Sequence, residues 1–320
     1  MTDRRTFLAG SLATLAIALR AVAAEPVTRE RFPLWPAMPP GAERVRVRDE
    51  WVRRSPDGDP DDIAWPHVAV PMLTMCRPAR PNGAAVLICP GGGYARVAVG
   101  RHPGAIARDF ASRGITAFEL LYRLPHDGWP AGADAPLQDA QRAMRVIRAG
   151  ADSGWPIDPD RIAVTGFSAG GHLAARLAAQ AGRKIYSPID ATDRLSAQPD
   201  VAGLFFPVIT MRDPGVHKAS RRELLGTHAA DPVWQRRYSA ELNLPATMPP
   251  TFVACNVDDS VVPFKNSLLM AEALHDAGIP TELMAFEEGG HGPPAPHANG
   301  TPTPWMDLFL AFAADHGWPA

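Results

Sequence analysis

Cysteine is scarce in this chain: Cys76, Cys89 and Cys255 are the only three among 320 residues. An odd number at spacings that match no disulfide framework excludes a stapled architecture, and the three read better as small buried hydrophobes. No Cys/His spacing suggests a metal site, so no metal and no cofactor are expected. An excess of one charge is also lacking. Lys and Arg total 32 against 34 Asp and Glu, a net −2, which gives no electrostatic footprint for nucleic acid. Long apolar runs are missing too. The N-terminal stretch from Leu8 to Ala18 is too short to span a bilayer, and Arg20 soon follows it. There are no internal repeats and no low-complexity segments. Proline, in contrast, is plentiful at 34 residues, many of them in apparent connections. The chain is long enough to bury one large core.

The N-terminus reads apart from the rest. Asp3-Arg4-Arg5-Thr6-Phe7-Leu8 is a twin-arginine pattern, followed by the apolar stretch and then Ala21-Val22-Ala23. This predicts an export signal over residues 1–23, cleaved after Ala23, with the mature protein periplasmic or extracellular and no stable membrane span after removal. A retained anchor is the alternative. The segment carries Arg4, Arg5 and Arg20 against Asp3, a net +2, so the mature chain would carry −4 in place of −2.

Residues 25–43 are rich in proline and predict an extended lead-in. The alternation in Arg44-Val45-Arg46-Val47-Arg48 predicts a half-buried strand, and His67 to Met75 a second one near an edge because of Pro71. Ala84 to Cys89 is a continuous apolar run, the pattern of a strand buried on both faces. From there strands and helices alternate. Helices are predicted over Pro103 to Arg113, Pro136 to Ala151, Ala169 to Ala181, Phe264 to Ala277 and Trp305 to Asp315. Strands are predicted over Ile115 to Tyr122, Ile162 to Thr165, Val201 to Ile209, Thr251 to Cys255 and Glu282 to Phe286. Such alternation predicts an α/β fold: a mainly parallel sheet covered by helices on both faces, with its site at the carboxyl ends of the strands. The stretch from Thr210 to Pro250, with short helical pieces, is the best candidate for a small insertion over that site.

Gly166-Phe167-Ser168-Ala169-Gly170 sits between a strand-like and a helix-like run. A G-x-S-x-G in that context is a turn so tight that its flanks must be small, and it lifts the serine oxygen to the helix N-terminus. A serine hydroxyl is a poor nucleophile until a base, itself oriented by an acid, takes its proton. The required order, Ser, then acid, then His, is present. Asp258-Asp259-Ser260-Val261-Val262-Pro263 follows one strand, and Gly289-Gly290-His291-Gly292 follows the next. Ser168, Asp259 and His291 are the predicted triad, with Asp258 and His297 as the competing acid and base. Pro90-Gly91-Gly92-Gly93-Tyr94 follows the strand ending at Cys89. Its glycines allow backbone N–H groups to approach a substrate oxygen, which makes Gly92 and Gly93, with Ala169, the expected oxyanion donors. A phosphate-cradling loop is disfavoured because no Gly-Lys-Ser/Thr follows. Tyr94 is a candidate lining residue of the substrate pocket, weighed against plain packing. His172 reads as a packing residue, and no role is assigned to Trp129, Trp155 or Trp234.

These motifs, with Tyr122-Arg123-Leu124 and Pro136-Leu137-Gln138-Asp139-Ala140, run in order from about residue 84 to 292. Together they resemble the α/β-hydrolase family, in the branch of acetyl xylan and feruloyl esterases and hormone-sensitive-lipase-like enzymes. The resemblance implies an α/β-hydrolase fold with a central sheet of about eight strands, formed by residues 24–320 as one domain with a lid-like insertion near 210–250. It implies a cofactor-free serine ester hydrolase acting on small-molecule or polysaccharide short-acyl esters, with acetyl groups on xylan as the expected substrate. It also implies that Arg123 and Asp139 hold a strand to the following helix. Pro90 stands where many lipases have His, and Cys255-Asn256 where His-Gly is common. A serine peptidase of this fold and a non-catalytic binding protein on the same scaffold are the alternative functions. The sequence specifies no oligomeric state.

Overall fold

The structure is a computed structural model that describes residues 28–318 apart from 59 and 61. The expected export signal lies outside the described residues. In chain order the elements are β1 (Thr28–Pro33), β2 (Glu50–Arg53), β3 (Ile63–His67), β4 (Met72–Arg77), β5 (Gly83–Cys89), α1 (Ala105–Ser112), β6 (Thr116–Leu121), α2 (Ala135–Gly150), β7 (Ile157–Phe167), α3 (Ala169–Gln180), β8 (Val201–Phe205), α4 (Lys218–Leu225), α5 (Pro232–Tyr238), β9 (Thr251–Asn256), α6 (Lys265–Asp276), β10 (Thr281–Phe286) and α7 (Trp305–Asp315). Eight strands form one sheet in the order β1-β4-β6-β5-β7-β8-β9-β10, and β2 pairs with β3 separately. The β1–β4 and β4–β6 pairs are antiparallel, and every pair from β6 to β10 is parallel.

Side-chain alternation divides the core into two layers. Ala85, Leu87 and Cys89 of β5 face the layer that holds Leu137, Ala140, Met144 and Ile147 of α2, Leu173 of α3 and Met270 of α6. Ala84, Val86 and Ile88 of the same strand face Phe110 of α1 and Phe309 and Phe312 of α7. A strand buried on both faces needs this period of two with no polar residue, as the run in β5 predicts.

The N-terminal quarter departs from expectation. Residues 44–48 are not a strand. Val45 is buried beside Trp129 and Ala135 but pairs with no strand, because alternation reports burial and says nothing of a partner. The stretch 67–75 is two strands. The N–H groups of Ala69 and Val70 donate to Asp49 Oδ1 at 2.7 and 3.1 Å, so a carboxylate takes the place of a ladder and the chain turns there. β4 is then interior, flanked by β1 and β6, and the edge belongs to β1, from the segment expected to be an extended lead-in. β8 ends at Phe205, earlier than its apolar pattern, because Phe206 adopts φ 36° and Pro207 follows.

One charge lies inside the sheet. Glu119 of β6 is buried and accepts the N–H of Gly104, the residue immediately before α1, at 3.2 and 3.0 Å. Burial pushes its pKa up to about 7, against the opposing pull of that N–H and of Arg108 and Arg31, so the carboxyl is neutral in mild acid and ionises only as pH rises through 7. A carboxyl raised above its unfolded value makes the fold less stable as pH climbs from the unfolded to the folded pKa, a cost of up to about 3 kcal/mol at full ionisation. Glu119→Gln keeps an acceptor for Gly104. It is expected to match the parent in Tm near pH 4 and to exceed it increasingly up to pH 8. A Tm difference independent of pH would refute this account.

Candidate active site

Four chain segments meet at the carboxyl edge of the parallel strands. Ser168 joins β7 to α3 at φ 56° and ψ −123°, a conformation costly for a residue with a Cβ and held here by its surroundings. A Cβ on Gly170 would fall 2.0 Å from Cys89 O, and one on Gly166 would fall 2.2 Å from Gly170 O. The glycines of the motif are therefore required by contact between α3, β7 and the end of β5. Ser168 is the residue before the helix, yet its side chain caps nothing and is left for chemistry.

That side chain meets His291. Ser168 Oγ lies 2.8 Å from His291 Nε2, and His291 Nδ1 lies 2.7 Å from Asp259 Oδ2. Asp259 Oδ1 accepts the N–H groups of Val261 and Val262 at 2.8 and 2.9 Å, which leaves Oδ2 for the imidazole. A carboxylate can only accept, so the ring proton sits on Nδ1 and Nε2 is free to accept from the serine hydroxyl. Ser168 and Asp259 are buried, and the His291 side chain is 22% exposed. The edge of Phe206 packs on the imidazole at 5.1 Å between ring centres.

Asp258, the competing acid, holds the histidine loop. It accepts the N–H of Gly290 at 2.9 Å and of Gly289 at 3.3 Å. Asn256 donates from Nδ2 to Gly290 O and Gly292 O, both at 2.9 Å. In the sequence Asn256 stands out only as a departure from a common His-Gly pair. Its position at the end of a strand beside the acid was the available signal. His297, the competing base, lies in a turn closed by its own N–H to Thr301 O.

The glycine turn after β5 lies directly against the serine. A Cβ on Gly91 would be 3.1 Å from Ser168 Cβ, and one on Gly92, at φ 132°, would be 2.1 Å from Arg96 O. The N–H groups of Gly92, Gly93 and Ala169 donate to no acceptor among the described residues. Tyr94 departs from its reading as a lining residue. It is fully buried, with its hydroxyl 2.8 Å from His172 Nδ1, while His172 Nε2 lies 2.7 Å from Tyr238 O. A carbonyl must accept, so Nε2 carries the proton and Tyr94 donates to Nδ1. Burial and the neighbouring Arg176 push the His172 pKa down to about 3, which keeps this chain neutral. Tyr94 thus locks the turn to α3 from behind, and His172 packs as expected.

Behind the site, Arg123 and Asp139 are both fully buried and paired at 2.9 Å. Asp139 also accepts Arg123 N and Trp35 Nε1, each at 2.8 Å. Tyr122, next along, donates to Pro90 O at 2.9 Å, tying this cluster to the glycine turn. Trp129 and Trp155 pack among neighbours, and Trp234 stacks between His228 and Tyr238.

Residues 211–250, between β8 and β9, carry α4 and α5. Ser220 of α4 approaches the glycine turn, its Oγ 3.8 Å from where a Cβ on Gly93 would sit. A second cluster, His67, His126 and Asp127, brings three metal-type ligand atoms within 4.8 Å of one another. Its His67 Nδ1 to Asp127 Oδ1 spacing of 2.6 Å is a direct hydrogen bond, whereas two ligands sharing an ion at ~2.0–2.2 Å stand roughly 3 Å apart or more. With Asp127 Oδ2 accepting Val68 N, the cluster anchors a loop.

Comparison with known proteins matches the BD-FAE family model to residues 77–274, a span that includes Ser168 and Asp259 and stops short of His291. The chain is 32% identical over 219 residues to an acetylxylan esterase of Xylanibacter ruminicola, covering 67% of this chain and 42% of that protein. It is 36% identical over 208 residues to endo-1,4-beta-xylanase B of Butyrivibrio fibrisolvens, covering 65% of this chain and 32% of that protein. The chain thus spans less than half the length of either curated relative. Among solved structures, an acetyl ester-xyloside bifunctional hydrolase from Caldicellulosiruptor lactoaceticus superposes with a TM-score of 0.71 at 32% identity, covering 91% of this chain and 97% of that one.

Proposed function

This chain belongs to the BD-FAE family, with the α/β-hydrolase fold, and from that premise we propose that it is a serine carboxylic-ester hydrolase acting on short-acyl esters, with acetyl groups on xylan as its substrate. The observation that carries the reading is the continuous Ser168–His291–Asp259 chain at 2.8 and 2.7 Å. His291 Nε2 takes the hydroxyl proton as Ser168 Oγ attacks the ester carbonyl. The developing oxyanion is received by the N–H groups of Gly92, Gly93 and Ala169, whose lack of internal acceptors supports that role. His291, steadied as an imidazolium by Asp259, returns the proton to the leaving alcohol. Water, deprotonated by the same imidazole, then releases the acyl group as acid.

The acetyl and xylan parts of the proposal are supported by the names of the relatives, an acetylxylan esterase and an acetyl ester-xyloside hydrolase. The twin-arginine pattern supports export, which would bring the enzyme to a polysaccharide that does not enter cells. The test is acetate release from acetylated xylan beside hydrolysis of p-nitrophenyl esters of increasing chain length. Acetate release with a preference for acetyl over longer chains is expected. Cleavage of the synthetic esters alone would leave the ester hydrolase standing and remove xylan.

A further inference from the structure

His217 is the residue immediately before α4, and its ring is oriented by the helix it begins. Ser220 Oγ lies 2.8 Å from His217 Nδ1, and Ser220 N donates to the same nitrogen at 3.4 Å. An imidazole nitrogen that receives a backbone N–H is an acceptor, so in the neutral ring the proton is on Nε2. Nε2 has no hydrogen-bond partner among the described residues, and His217 is half-buried, so this N–H has no acceptor within the fold.

The ring lies near the glycine turn and within electrostatic reach of His291. Its hydrogen-bond partner Ser220 borders the glycine turn at Gly93. Burial, with His291 nearby, lowers the His217 pKa against the pull of Asp259, so both triad partners lie within electrostatic reach and the ring stays neutral near pH 7. The reading of the site as an ester hydrolase, on which this inference rests, then limits what an N–H here can meet. An acetyl group offers one acceptor, its carbonyl oxygen, and the glycine turn and Ala169 provide for that. The remaining acceptors belong to the alcohol, whose oxygen must lie beside His291 to be protonated.

We infer that His217 is a specificity residue for the alcohol side of the ester: its Nε2–H donates to a hydroxyl or ring oxygen of the sugar next to the acetylated position. A simple aryl acetate has no such oxygen. A site built to donate to a substrate oxygen discriminates against an ester that lacks it, because the donor, once covered by the bound substrate, is left without a partner.

His217→Asn separates this role from helix capping, because the Asn side-chain oxygen still accepts Ser220 N while the far donor is gone. The parent and variant are compared on an acetylated xylo-oligosaccharide and on p-nitrophenyl acetate, with Tm measured for both. The expected result is a drop in kcat/KM of about tenfold or more on the sugar ester, a change within about threefold on the aryl ester, and a Tm within a few degrees. An equal fall on both esters overturns the inference in favour of a general catalytic or structural role. No change on either overturns it outright. A parent that cleaves p-nitrophenyl acetate but no sugar acetate sinks the polysaccharide reading and this inference together, whereas an active parent indifferent to His217→Asn sinks the inference alone.

Discussion

Ser168→Ala is expected to lower kcat on any ester by about a millionfold while the fold persists, the scale seen when a triad nucleophile is removed elsewhere. The loss is chemical. The variant keeps the glycine turn and the Ala169 N–H, so a residual acceleration of roughly 10³–10⁴ over water should survive from oxyanion binding and positioning. The structural cost is small. Ala at φ 56° is no more strained than Ser, and the one hydrogen bond lost is to a partly exposed imidazole, worth about 1 kcal/mol. Two measurements check this. Steady-state rates on p-nitrophenyl acetate should collapse with Tm nearly unchanged, and a serine-directed phosphonate should add its mass to the parent and not to the variant. If Ser168 and His291 act as one unit, as proposed, Ser168→Ala/His291→Ala should be hardly slower than Ser168→Ala alone. A Ser168→Ala protein with parental activity would end the nucleophile assignment, and independent, multiplying losses in the double variant would mean that the two residues do not share one step.

The second large effect is on stability. Asp139→Ala removes the charged partner of a fully buried guanidinium. Pro40 O and Gln138 Oε1 still accept from Arg123, but no negative charge remains among the groups it touches. Trp35 Nε1 and Arg123 N lose their acceptor as well. Breaking a buried pair by removing one member costs about 3–5 kcal/mol, which in a chain of this length corresponds to a Tm lower by about 5–8 °C. The damage should spread to the site, since Tyr122 beside Arg123 holds Pro90 at the start of the glycine turn. Asp139→Asn, which keeps an acceptor of the same shape, should lose less. Thermal unfolding of the two variants tests this, and a Tm for Asp139→Ala within about 2 °C of the parent would mean that the pair is dispensable.

How far the sequence reaches can be judged from particular residues. From β5 onward the helices and strands follow their patterns, except that β7 begins at Ile157, five residues before its pattern, and β8 ends early; α7 matches its predicted span, because a sheet buried on both faces imposes its period on the strands and helices that cover it. The first 80 residues were harder to read. There Asp49 satisfies two backbone N–H groups in place of a ladder, β1 forms from a stretch that read as an extended lead-in, and a strand with no helix after it carries a weaker signature.

Within the site, the sequence by itself determined the chemistry available and the order of its parts: a serine in a turn where only glycine fits on either side, an acid and a histidine after successive strands, and a glycine run after an earlier one. Those are local facts, set by steric limits at a turn and by the rule that parallel strands end at one edge. Packing selected which carboxylate faces the imidazole. Asp258 and Asp259 are neighbours with the same chemistry, and the strand end turns one toward His291 and the other toward the loop's N–H groups. Tyr94 was settled in the same way. A tyrosine beside a glycine turn can face cleft or core, and it faces the core because a buried histidine 78 residues away has a ring nitrogen to receive its hydroxyl. Which direction a side chain takes depends on partners distant in sequence, and packing alone brings them together.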